Sequence, residues 1–132
     1  MILIDANVIL DVWTADPIWN NWSSEQLRNQ SERHELAIGP IVYSEVSISF
    51  ATPSQVDKKL EQLGIAVLDL SREAAFLAGK AYVQYKRRGG SRSNALADFL
   101  IGAQALALGC ALLTRDSRVH KLYFPGVNLI AP

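Results

Sequence analysis

Short apolar runs alternating with longer helical patterns constrain this chain more than any other feature. Met1–Ile4, Leu36–Ile38, Ile65–Leu68, Cys110–Leu113 and Val127–Ile130 read as strands. The stretches between them carry helix signals. That alternation is the signature of an α/β domain built on a parallel sheet. The 132 residues fit one domain over 1–132, with a core large enough to stand without disulfides.

The helix signals are local and chemical. Asp16-Pro17 predicts a helix start, with Asp16 as N-cap and proline in the first turn. Ile41 to Phe50 reads as a helix. Thr52-Pro53-Ser54-Gln55 fits a capping box, followed by Val56, Leu60 and Leu63 at helical spacing and a stop at Gly64. Ser71 caps a long helix that runs to about Arg88 and ends at Gly89-Gly90. A further, strongly apolar helix spans Ala95 to Leu108 and stops at Gly109.

Composition excludes several classes. Hydrophobic residues make up 49% and charged residues 20%, which is ordinary globular usage. No run is long enough to span a bilayer. The first ten residues lack a basic region and carry Asp5, unlike a signal peptide. A single cysteine, Cys110, allows no intrachain disulfide, which suits a reducing cytoplasm, and its apolar setting suggests packing. The net charge of zero gives no global sign of nucleic-acid binding, so any such case rests on local charge.

Three aspartates stand where an acid is out of character. Asp5 ends the first strand and Asp116 lies just past the fourth, and ligands of parallel sheets bind beyond such strand ends. Each has a plainer reading: Asp5 as a helix N-cap, Asp116 in an Asx-turn. Asp98 is the sharper signal. In ALADFLIGAQALALG only Asp98 and Gln104 are polar, and a lone buried carboxylate needs a cation or donors. Arg92 and Arg115 are candidate partners if its role is structural. Glu45 is a fourth candidate, because helical spacing puts Ile41 and Val42 on its side of the helix.

Four carboxylates in one pocket raise one another's pKa values, and a divalent cation relieves the conflict. An all-oxygen donor set suits Mg²⁺ or Mn²⁺ rather than zinc. The two histidines, His34 and His120, do not pair with Cys110 at zinc spacing and read as surface or core residues.

The order of these acids resembles the PIN-domain family. The matching residues are Asp5-Ala6-Asn7 closing the first strand, Glu45 in the helix after the second, Asp98 in ADFLIGAQA, and Thr114-Arg115-Asp116 after the fourth. The resemblance covers the whole chain and its size is that of VapC-type toxins. It implies a three-layer fold with a five-stranded parallel sheet flanked by helices. It implies hydrolysis of RNA phosphodiesters, Mg²⁺ or Mn²⁺ held by Asp5, Asp98 and Asp116, and Asn7 and Thr114 fixing the carboxylates. Glu45 is then either a further ligand or the group that orients the attacking water. A small antitoxin and a homodimer are the expected partners. The alternatives within the fold are an RNA-processing nuclease that is not a toxin, and a PIN-fold binding module without catalysis.

RNA also needs positive charge. Ala74 to Ala97 holds no acid but contains Lys80, Lys86, Arg87, Arg88 and Arg92. This segment is either a phosphate-binding lip beside the site or a solvated helix end whose cations favour the dipole. Trp13, Trp19 and Trp22 are either core or anchors for a partner. A haloacid-dehalogenase phosphatase would need an acid where Asn7 stands. A response-regulator receiver would need an early acid pair and a lysine directly after the fourth strand; both are missing.

Overall fold

The computed structural model describes residues 1–132. Five parallel strands form one sheet in the order β3-β2-β1-β4-β5. They are β1 (Ile2–Ile4), β2 (Leu36–Ile38), β3 (Ile65–Val67), β4 (Ala111–Leu113) and β5 (Leu129–Ile130). β1 and β2 are buried along their whole length. That is why the sequence shows them as continuous apolar runs instead of alternating ones. Seven helices flank the sheet, completing the three-layer α/β fold.

The helices are α1 (Ala6–Trp13), α2 (Asn20–Ser31), α3 (Pro40–Val46), α4 (Pro53–Gln62), α5 (Arg72–Arg87), α6 (Ala95–Leu108) and α7 (Arg118–Tyr123). The α4 capping box is present in full: the Thr52 side chain accepts from Gln55 N, and Gln55 Oε1 accepts from Thr52 N. Ser71 caps α5, and Gly109 closes α6 in the left-handed region at φ 63°.

Two helix boundaries differ from the sequence expectation. The helix expected to reach Phe50 ends at Val46. The Ser44 and Ser47 hydroxyls bond back to the carbonyls of Ile41 and Tyr43, a local alternative to continued helix. The Asp16 carboxylate accepts from Ile18 N and Trp19 N, but it caps a single turn, and regular helix begins at Asn20.

Strand order reverses at β1. The chain lays β2 and β3 on one side of it, then crosses to place β4 on the other. Asp5 N extends the ladder to Leu113 O at 2.9 Å, so the C-terminal ends of β1 and β4 leave the sheet together. A crevice opens at such a switch point.

The packing of α7 beside this crevice depends on Gly102 of α6. A Cβ there would meet the Phe124 ring at 2.6 Å and His120 Nδ1 at 2.8 Å. Gly102→Ala is therefore expected to lower stability by about 1–3 kcal/mol through overpacking. Denaturant unfolding checks this. A variant within experimental error of the native chain would show that α7 yields freely.

A carboxylate pocket at the switch point

Asp5, Glu45, Asp98 and Asp116 all line one pocket of about 290 Å³, together with Asn7, Asn94, Arg92, Arg115 and His120. The four acids come from four places in the chain. Asp5 occupies the N-cap position of α1, yet its side chain makes no capping bond and turns to the pocket. Glu45 lies in the last turn of α3. Asp98 sits in the first turn of α6, where the helix dipole favours an acid. Asp116 follows β4.

Asp5 is the most enclosed of the four, at 8% exposure. Thr114 Oγ donates to its Oδ2 at 2.8 Å, and Asn7 Nδ2 reaches the same oxygen at 3.5 Å. The Thr114 hydroxyl also accepts from Asp116 N at 3.1 Å. Asn7 Oδ1 accepts from Arg115 N at 3.3 Å. Asn7 and Thr114 thus tie the ends of β1 and β4 into one frame around Asp5.

Arginines occupy two of the acids. Arg92 pairs with Asp98, one of the two partners considered from the sequence. Arg118 Nε lies 3.3 Å from Asp116 Oδ1, and Arg118 N donates to the same oxygen, so the expected Asx-turn at Asp116 exists inside the pocket wall. The Arg118 contact holds the Asp116 carboxyl below its ordinary value. Burial pushes Asp98 up, opposed by Arg92 and reinforced by Asp5.

Glu45 has no such partner. Its Oε1 is buried without a hydrogen bond. Burial, and then the nearby Asp5 and Asp98, push its carboxyl up to about 7 from an ordinary 4.5. As the side chains stand, no three acids or histidines close tightly enough to cage an ion.

Two features of the pocket escaped the sequence reading. His120, read there as a surface or core residue, is buried at 2% exposure, and its Nε2 faces Asp5 Oδ2 at 3.9 Å. Only its neighbour Gly102 could have signalled a side chain packed against α6. Asp11 of α1 is buried behind the pocket and binds Arg115 through both carboxylate oxygens, at 2.9 and 3.0 Å. An acid in the apolar run NVILDVW was the available signal for it.

The other expected contacts divide. Arg92 lines the pocket, whereas Lys86, Arg87 and Arg88 lie exposed at the end of α5 outside its lining. Arg88 stacks over Tyr123 of α7, at 5.4 Å. Trp13 packs edge-on against Phe50, Trp19 against Trp22. Trp19 also lies under the Arg115 guanidinium at 5.5 Å. No helix is long and apolar enough to cross a membrane.

A sequence profile of the PIN domain matches residues 2–125. The chain belongs to the PIN-domain family. No curated protein sequence matches it. Among solved structures, this PIN domain is similar to a chain in VapBC2 from Rickettsia felis bound to a DNA fragment from their promoter. The TM-score is 0.74 and the identity 20%, over 99% of this chain and 98% of that one. It is similar to a chain of VapBC-1 from nontypeable Haemophilus influenzae, with a TM-score of 0.72 and 19% identity over 99% and 98%. A toxin-antitoxin complex from Klebsiella pneumoniae gives 0.69 and 21% over 96% and 95%. At these identities the likeness is one of fold.

The Glu45 proton has a thermodynamic consequence for the PIN domain free of metal. Between pH 4.5 and about 7 the folded chain holds a proton that the unfolded chain releases. Stability is then greatest below 4.5 and falls as pH rises through 7. In chelator, the native protein is expected to lose more melting temperature from pH 5 to pH 8 than Glu45→Gln. Equal losses would place the displaced proton on another group.

Proposed function

We propose that this PIN domain is a divalent-metal-dependent ribonuclease, the toxin of a toxin–antitoxin pair, acting in the cytoplasm. The buried, unpartnered Glu45 Oε1 among Asp5 and Asp98 carries the reading. A polar atom left without a donor in a wall of acids is costly, and a cation is the group that would satisfy it. The donors are all hard oxygens, which fits Mg²⁺ or Mn²⁺. Asp5, Asp98 and Asp116 would hold the ion, with Glu45 as a further ligand or as the group that orients the attacking water. A divalent ion bound there would supply an activated water and charge neutralisation for in-line attack on a phosphodiester.

The chain's own residues do the rest. Thr114 and Asn7 keep the Asp5 carboxylate from rotating away. Arg92 and Arg118, both exposed, hold Asp98 and Asp116 until a stronger cation takes those acids. Arginines with this much exposure are readily released to solvent, so both pairs can exchange for a bound ion. Lys86, Arg87 and Arg88, with Arg92, would then guide the RNA backbone toward the pocket. The toxin role and a small antitoxin as partner are supported by likeness of fold to chains of VapBC complexes; a homodimer is what the family resemblance leads one to expect.

RNA cleavage is expected to require Mg²⁺ or Mn²⁺ and to cease in excess EDTA; cleavage that persists there would refute metal dependence. Asp98→Asn separates ligand from scaffold. It is expected to abolish cleavage while leaving the metal-free protein as stable or more stable, because it removes one charge from a crowded, half-buried acid pocket and keeps the side-chain volume. Mn²⁺ should raise the melting point of the native chain well above that of the variant. Equal gains in both would remove Asp98 from the ligand set.

A further inference from the structure

We propose that Arg115 binds the substrate phosphate in this pocket, which rests on the ribonuclease reading above. Two arginines line the pocket, Arg92 and Arg115, and Arg118 lies beside it. Arg92 pairs with Asp98 and Arg118 with Asp116, both acids of the pocket itself. Arg115 alone has its counterion elsewhere. Its partner Asp11 is 2% exposed and is not part of the lining.

The clamp on Arg115 fixes its direction. Nε and Nη2 point back to the two oxygens of Asp11. Asp11 Oδ2 also accepts from Ser23 Oγ at 2.7 Å, which anchors the carboxylate to α2. One face of the guanidinium covers Trp19. With one edge and one face engaged, the Nη1 N–H pair and the second N–H of Nη2 are left over, on a side chain that remains 32% exposed at the pocket wall. A planar cation held from behind, with an unused N–H pair and no pocket acid attached, is suited to a phosphate oxygen.

The position matters for the chemistry. Arg115 sits between Thr114, which bonds Asp5, and Asp116. A phosphate bound by Arg115 would lie within the carboxylate wall. Beside the ion that those acids would hold, a fixed cation further offsets their repulsion of an approaching phosphate. Arg92 and Arg118 can shift to the solvent when the acids take an ion; Arg115 cannot.

The test is RNA binding by the full chain in a Glu45→Gln background, which keeps Asp5, Asp98 and Asp116 for the ion and is expected to silence cleavage, with Mn²⁺ present. The probe is a fluorescein-labelled single-stranded oligoribonucleotide of twelve nucleotides, titrated over a range of salt. Arg115→Ala alone strands the buried Asp11 and risks unfolding, so the decisive variant is Asp11→Asn with Arg115→Gln. That pair keeps the net charge and the shape of the buried Asp11, leaves a neutral polar side chain at 115, and removes the pocket cation. Circular dichroism and a thermal melt confirm that it folds. The expected result is affinity about tenfold lower and a log–log salt slope shallower by about 0.7, the release of one counterion from a single strand. Unchanged affinity and slope in the folded double variant overturn the proposal and leave Arg115 as a structural tie, while sparing the ribonuclease reading. A background protein that binds no RNA at all overturns both.

Discussion

Mutual repulsion among carboxylates at the end of β1 and β4 is the constraint around which the rest of this structure is arranged. Asp5, Glu45, Asp98 and Asp116 face a space of about 290 Å³. In water such a cluster would spread apart. Here the rigid ends of two central strands, the first turn of α6 and the last turn of α3 hold it together. The structure manages the repulsion in three ways: hydroxyl and amide donors on Asp5, arginines on Asp98 and Asp116, and a proton on Glu45 below about pH 7. Each device is local and reversible. A pocket whose repulsion is relieved by such means fits the cation site proposed above.

The scaffold was largely legible because its signals are short-range. β1, β2 and β4 are buried on both sides and announce themselves as unbroken apolar runs. The capping box at Thr52 and the glycine stop at Gly109 follow from backbone chemistry within a few residues. What escaped has a different cause. α1 follows β1 with only Asp5 between them; the strand end at Asp5 was legible, but the eight residues after it give barely two turns in which to show a helical period. α7 is only six residues long, too short for a helical period to stand out, and it is placed by Gly102 and the Phe124 ring.

The same division holds in the pocket. Asp98 stood out because thirteen of its fourteen helix neighbours in ALADFLIGAQALALG are uncharged and non-polar apart from Gln104. Gln104 itself turns out to have a packing reason, since it fills the space left by Gly39 and donates to Asp69 O. His120 and the Asp11–Arg115 bridge were not legible, because their partners are far apart in sequence and meet only through tertiary packing. Asp11 and Arg115 are 104 residues apart. No periodicity or spacing argument reaches that distance.

These two kinds of ion pair differ in energy as well as in legibility. Breaking a buried pair by removing one partner costs about 3–5 kcal/mol, since the survivor is left uncompensated. Asp11, at 2% exposure beside a 32% exposed Arg115, comes nearest that class; Asp98 and Asp116, at 27% and 46%, are less enclosed, and so are their arginines at 45% and 87%. The pocket therefore carries one permanent cation and two exchangeable ones. In the function proposed above, an entering divalent ion would displace the weaker pairs and leave Asp11–Arg115 in place. Acids and a cation can then stand side by side without neutralising each other, because the cation is already satisfied from behind the wall. That separation of an acid face from a tied basic residue is what a site for metal and phosphate together would require, and it follows from Asp11 lying on α1 one helix turn beyond Asn7.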